Sequence, residues 1–161
     1  MATKRKAPKA KRPDFLGYGI AGGKKGLLPW SWAERRLKSA RQYLLVTVRP
    51  NKAPHAMPIW GIWVEDAFYF SSGPKSVKAR NLAKNAQCIV SIEQNEEAVV
   101  VEGTAREITS KDKRRKLDVT YYRKYRYHLD PNLGPLFAVK PSAVFGLDEK
   151  RFTQTATKWV F

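Results

Sequence analysis

From Tyr43 to Glu107 the chain passes through one short β-forming segment after another with little helix-forming sequence between them, and few folds accommodate that pattern. Tyr43-Leu44-Leu45-Val46-Thr47-Val48 is dense in β-branched and aromatic residues, and Pro50-Asn51-Lys52-Ala53 supplies turn chemistry. Residues 55–64 then read as a second strand that pairs with the first as a hairpin. Glu65-Asp66 turns the chain into a third strand over residues 67–71, and further strands are expected at residues 87–93, 98–107, 143–147 and 154–161. Helices interrupt this series at three places. Ser31-Trp32-Ala33-Glu34 has a capping-box pattern and opens a helix over residues 31–41; a basic helix follows the third strand; a longer one spans residues 111–128. Consecutive antiparallel strands with few helices predict a mainly β, α+β chain built as a closed or partly open barrel rather than a doubly wound sheet.

The passage from the third strand into the basic helix carries the clearest chemical signal. Small hydroxyl residues, a turn and a cation-rich helix start succeed one another in Ser71-Ser72-Gly73-Pro74-Lys75-Ser76-Val77-Lys78-Ala79-Arg80-Asn81. The first turn of a helix presents backbone N–H groups without internal partners, and its dipole favours negative charge there. Ser71, Ser72 and Ser76 can add hydroxyl donors, and Lys75, Lys78 and Arg80 add full charges, so a phosphate ester fits such a place. The same residues also suit a solvated amphipathic helix with Val77, Leu82 and Ala83 turned inward.

The formal net charge of +17 over 161 residues raises a nucleic-acid reading. Part of that charge lies in residues 1–13, where Lys4, Arg5, Lys6, Lys9, Lys11 and Arg12 occur with almost no apolar bulk; this tail is expected to be disordered and to touch polyanions weakly. A second cluster runs from Lys111 to Arg126 around Leu117, Val119, Tyr122 and Tyr125, as in a helix with an apolar stripe and a cationic outer face. The one cysteine, Cys88, excludes an internal disulfide framework, and its setting predicts a buried strand thiol. No apolar run approaches the ~20 residues of a membrane helix, so the expectation is a cytoplasmic protein without a membrane partner. Dinucleotide, Walker, nucleophile-elbow and zinc-protease motifs are missing, and His55 and His128 are the two imidazoles. Catalysis by resident side chains therefore has few candidates, which suits a cofactor that carries its own reactive centre.

Four fragments in order carry a resemblance to a known family: Val48-Arg49-Pro50-Asn51-Lys52-Ala53-Pro54-His55-Ala56-Met57-Pro58-Ile59-Trp60, Phe68-Tyr69-Phe70-Ser71-Ser72-Gly73, Lys78-Ala79-Arg80-Asn81-Leu82, and Val99-Val100-Val101-Glu102-Gly103-Thr104-Ala105. Together they resemble the pyridoxamine 5′-phosphate oxidase-like split-barrel superfamily, most closely its flavin and deazaflavin (F420) dependent oxidoreductase branch. The resemblance implies an antiparallel split β-barrel of FMN-binding type over residues 27–161, preceded by a disordered basic tail and Gly-rich approach over residues 1–26. It further implies a homodimer with FMN or F420 in a cleft between protomers and a small-molecule substrate that exchanges a hydride with the cofactor. On the matching positions Ser71, Ser72, Lys78, Arg80 and Asn81 hold the cofactor phosphate, while Met57, Pro58, Ile59 and Trp60 border the flat ring. Glu102-Gly103 reads as a strand bulge. Val77-Lys78 stands where true pyridoxamine phosphate oxidases have an Arg-Lys pair, and their C-terminal substrate-binding region has no counterpart, which speaks against that one activity. No acid or base is assigned. The competing classes are a basic nucleic-acid-binding barrel and a cofactor-binding protein without turnover.

Overall fold

The structure is a computed structural model and describes residues 6–161. Its elements are β1 (Lys9–Lys11), α1 (Trp30–Ser39), β2 (Tyr43–Val48), β3 (Pro54–Ile59), β4 (Ile62–Val64), β5 (Ala67–Ser71), α2 (Val77–Lys84), β6 (Gln87–Gln94), β7 (Glu97–Glu107), α3 (Lys111–Tyr125), β8 (Leu136–Asp148), α4 (Phe152–Thr155) and β9 (Thr157–Val160). Every strand pairing is antiparallel, in the order β1-β9-β8-β7-β6-β2-β3, with β4 and β5 attached through β5 to β8.

The split in the barrel is visible along β8. One of its edges pairs with β7 over most of its length, while the other is shared by β5 at Leu136–Val139 and by β9 at Ala143–Gly146. The expected bulge lies opposite this change of partner. Register shifts between Glu102 and Gly103, and a Cβ on Gly103 would stand 2.5 Å from the Lys140 carbonyl oxygen, so only glycine lets the strands approach there.

Alternation fills the interior. Tyr43 and Leu45 of β2, and Val99, Val101 and Ala105 of β7, are buried, and meet Trp32 and Leu37 of α1 in the main core; Thr47 is buried as well. Leu117, Tyr121 and Tyr125 of α3 cover the other side of the β4–β5 hairpin with Ile62, Tyr69 and Leu136 in a second cluster. Cys88 is buried as expected, and burial pushes its thiol up to about 12. No helix of the described residues is long and apolar enough to cross a membrane.

Four expectations need revision. The capping box does not form: the helix begins at Trp30 with Pro29 as its N-cap, Ser31 lies inside it, and Glu34 pairs with Lys38 at 2.9 Å. Burial of Trp32 and Ala33 against the sheet sets the helix start. The strand over residues 55–64 is two strands, because Gly61 breaks away between β3 and β4: its backbone lies so close to Phe68 that a Cβ would be 2.1 Å from the ring. At the other end, β8 is 13 residues long rather than five, and β9 starts three residues later than expected because α4 intervenes.

The fourth revision concerns the basic tail expected to be disordered and the Gly-rich approach that follows it, together residues 1–26. Residues 1–5 lie outside the described residues, but Lys9–Lys11 form a strand against β9. Arg12 then donates to the carbonyl oxygens of Gly23, Gln154, Lys25 and Ala156. Phe15 stacks 6.0 Å from both Phe145 and Phe152, and Ala21 donates to the Thr153 carbonyl at 2.8 Å. A guanidinium that satisfies several loop carbonyls at once orders glycine-rich backbone that has little apolar content of its own.

Candidate functional site

β3 forms the edge of the sheet: it pairs with β2 and with no other strand among the described residues. Edge position leaves its outer backbone groups and part of its inner face uncovered, and Pro54 and Pro58 blunt it against further pairing. Met57 and Trp60 are 44% and 49% exposed and Pro58 is exposed, whereas Ile59 is buried. The four residues expected to border a flat ring thus present an open apolar edge anchored at one point in the core.

Trp60 is not free to swing. Its ring stacks on Tyr125 at 4.8 Å and 5° and meets Tyr127 edge-on at 6.3 Å. Behind it, the Tyr125 hydroxyl lies 2.9 Å from both the Arg41 and the Gly61 carbonyl oxygens, either of which can take its one proton, and accepts from the Gly61 N–H, while Lys124 Nζ donates to the Tyr43 hydroxyl at 2.7 Å and to the Gly61 carbonyl at 3.0 Å. Burial, with help from Arg41, pulls Lys124 down to about 8, and burial raises Tyr43 and Tyr125. α3 therefore clamps the β3–β4 break, a role that no local sequence signal announces.

The hydroxyl and cation segment lies where β5 meets α2. Ser76 caps α2 by accepting from the Ala79 N–H at 3.2 Å, and its Oγ lies 2.8 Å from that of buried Ser72. Ser71 donates to the Pro135 carbonyl at 3.1 Å. Asn81 is buried and donates to Thr47 at 3.0 Å, tying α2 to β2. Lys78 is half-buried and Arg80 exposed.

Between α2 and the β2–β3 turn lies a cavity of about 590 Å³ lined by Arg49, Pro50, Asn51, Val77, Arg80, Asn81, Ala83 and Lys84. Three cations reach it and no carboxylate lines it. Arg49 was not singled out in the sequence, since nothing local tells that the hairpin carries the end of β2 across to α2. Of the expected residues, Arg80 and Asn81 line this cavity and Lys78 does not; Met57 to Trp60 lie farther along β3, toward the Tyr43 end of β2, while Ser71 and Ser72 sit at the start of the β5–α2 connection, bonded within the protein. A separate cavity of about 920 Å³ beside α3 is lined by Lys111, Arg114, Arg115, Asp118 and His128 among others. There His128 and Asp118 pair at 2.7 Å, and Arg114 reaches the Leu129 and Gly134 carbonyls.

Several solved structures share this fold. An F420 reductase is 22% identical, with 69% of this chain and 94% of that chain covered at a TM-score of 0.58. General Stress Protein 26 from Bacillus anthracis is 20% identical, covering 74% and 94% at 0.60, and the haem storage protein HutZ from Vibrio cholerae is 13% identical, covering 69% and 86% at 0.59. No curated protein matches the chain. The family model described as pyridoxamine 5′-phosphate oxidase matches residues 33–147, which is most of the chain and contains the edge strand, the α2 cations and the β7–β8 bulge. The protein is a member of the pyridoxamine 5′-phosphate oxidase family.

Proposed function

We propose that the protein is an oxidoreductase that holds FMN or F420 along the β3 edge, with the phosphate at the α2 cations, and reduces or oxidises an unidentified small molecule. The observation that carries this reading is an exposed apolar edge, Met57 to Trp60, on the same β2–β3 hairpin whose turn joins α2 in a cavity lined by Arg49, Arg80 and Lys84 and by no carboxylate. A flat, largely apolar ring needs a hydrophobic wall with backbone donors and acceptors at its polar edge, and an unpaired strand edge provides both. The phosphate needs donors, and the uncompensated cations supply them.

When bound, such a cofactor supplies hydride transfer. The residues of this chain orient the ring: the Tyr125 and Lys124 hydrogen bonds hold Trp60-Gly61 in place, and the cations fix the opposite end. The chain is proposed to work as a homodimer. Leu44, Met57 and Trp60, 42%, 44% and 49% exposed, leave apolar surface around the β2–β3 hairpin that a second protomer would cover while closing the cleft.

Titration of the purified protein with FMN, F420, riboflavin and haemin, followed by visible absorbance and fluorescence, tests the reading. Micromolar binding of FMN or F420 is expected, with riboflavin weaker; haemin alone binding would overturn it. Light scattering should report about twice the 18.4 kDa chain mass, and a monomer that binds tightly would remove the cross-chain cleft. The second reading, a polyanion-binding barrel, draws on the exposed Lys111, Lys113, Lys116, Arg123 and Arg126 of the α3 region. It requires affinity for single-stranded nucleic acid that falls steeply with salt. A bound cofactor that no reductant or small molecule turns over would point to a carrier instead.

A further inference from the structure

Leu16 and Tyr18 are the most exposed large apolar side chains among the described residues, at 85% and 65%, and they stand on a turn over residues 16–19 that is fastened at both ends. Ahead of it, Arg12 bonds four carbonyl oxygens and Phe15 stacks on Phe145 and Phe152. Behind it, Ala21 donates to the Thr153 carbonyl, and Tyr18 itself meets the Phe152 ring edge-on at 5.7 Å. The arm is thus ordered and still leaves two apolar groups in water, which is unfavourable until something covers them.

The ground around this turn is cationic. β1 pairs with β9 so that Lys11 stands directly opposite Lys158 and Lys9 opposite Val160, while Ala10 faces Trp159 of the core. Lys9, Lys11 and Lys158 therefore project together from the outer face of the sheet. Phe145 lies opposite Lys158 on that same face, its ring 5.0 Å from Lys158 Nζ, and Phe15 packs over Phe145. Register thus puts the lysines and the turn on one side of the molecule. Lysines on β1 alone would serve to blunt a sheet edge, but β9 is paired on both sides, and like charges directly opposite are destabilising there. Residues 6–26 carry Lys6, Lys9, Lys11, Arg12, Lys24 and Lys25 against a single acid, Asp14.

A second copy of the chain brings the same net charge of +17, and a two-fold contact here would set lysine against lysine. A polyanion suits the patch better. Nucleic acid offers phosphates and a stacking face for Tyr18 but no apolar phase for Leu16. An anionic bilayer offers both: headgroup phosphates for the lysines, an acyl boundary for an aliphatic side chain, and the interfacial depth that tyrosine favours. We infer that the β1–β9 lysines and the Leu16–Tyr18 turn form a docking surface for an anionic lipid bilayer, on which the protein rests without crossing it. The lysines attract the headgroups, Leu16 and Tyr18 enter the boundary beneath them, and the Arg12 bonds keep the turn in shape. No helix of the described residues can cross a bilayer, and resting on one requires none.

Co-sedimentation of the full chain with vesicles of phosphatidylcholine mixed with phosphatidylglycerol, and of phosphatidylcholine alone, tests the inference. Binding is expected on the anionic vesicles only and should weaken as salt rises. Leu16→Ser with Tyr18→Ser should lower the partition coefficient roughly tenfold or more, and so should Lys11→Gln with Lys158→Gln. Because Cys88 is buried, a Leu16→Cys variant takes an environment-sensitive fluorophore selectively, and its emission should shift to the blue on anionic vesicles. Parent-like partition of either pair, or an unshifted fluorophore on bound protein, would overturn the inference. So would a parent that ignores anionic vesicles, whether or not it binds single-stranded DNA. A dimer that falls to monomer on substitution of Leu16 and Tyr18 would assign the turn to a second copy and overturn it as well.

Discussion

α2 and α3 look alike as sequences, each a lysine- and arginine-rich helix entered through a serine cap, and the structure gives them opposite work. On α2, Arg80 and Lys84 converge with Arg49 on one concavity that holds no carboxylate. On α3, charge is spread or already engaged: Arg115 pairs with Asp112, Arg114 bonds two carbonyls, and Lys124 is drawn inward to Tyr43 and Gly61. The outermost cations, Lys113, Lys116 and Arg123, are exposed. Uncompensated charge focused by a concave wall favours an anionic ligand, while charges spread over a convex helix face make a solvated surface with a structural underside.

The largest expected effect breaks the α3 side of this contrast. Gly61→Ala places a Cβ 2.1 Å from the Phe68 ring and 2.8 Å from the Tyr69 carbonyl oxygen, at the point where Tyr125 and Lys124 dock. Denaturant titration should show a loss of about 1–3 kcal/mol or more; an unchanged midpoint would mean that the helix docks without a rigid β3–β4 break. On the α2 side, Lys78→Ala or Arg49→Ala should weaken FMN binding by roughly tenfold or more, in line with about 1.5–3 kcal/mol for a charge-assisted bond. Fold stability should barely move, and parent-like affinity in both variants would dissolve the distinction between the helices.

A third test uses pH. The folded protein holds Lys124 near 8 against an ordinary 10.5, so across that window the unfolded chain binds the extra proton and stability attributable to this group rises as pH rises. Compared with Lys124→Met, the parent should therefore gain stability from pH 8 to 10; a parallel or falling difference would show that the ammonium is not desolvated under α3. The smallest effect is expected for Arg123→Gln with Arg126→Gln, within about 0.5 kcal/mol in stability and without change in flavin affinity. A tenfold affinity loss there would bring α3 into the cofactor site.

Much of the barrel was legible because strand patterning is local. β2, β5, β6 and β7 lie where alternation and turn residues put them, and the Glu102-Gly103 bulge follows from glycine inside a strand. What local patterning missed is tertiary. The β3–β4 break at Gly61 depends on Phe68 and Tyr125 from other elements, and the ordering of the arm depends on Arg12 finding four carbonyls, two of them from residues 154 and 156. In the site, the edge strand and α2 were readable from chain order, but Arg49 beside Lys78 and His55 required the hairpin to fold back over the helix.

The divided edge of β8 has a consequence for how the molecule breathes. Leu136–Val139 binds the β4–β5 hairpin and Ala143–Gly146 binds β9, so two segments that are not paired with each other hang from one strand. Phe68 and Phe70 of β5 and Trp159 of β9 are all fully buried in the main core, so neither segment leaves β8 without opening that core, and the two are released together rather than one at a time.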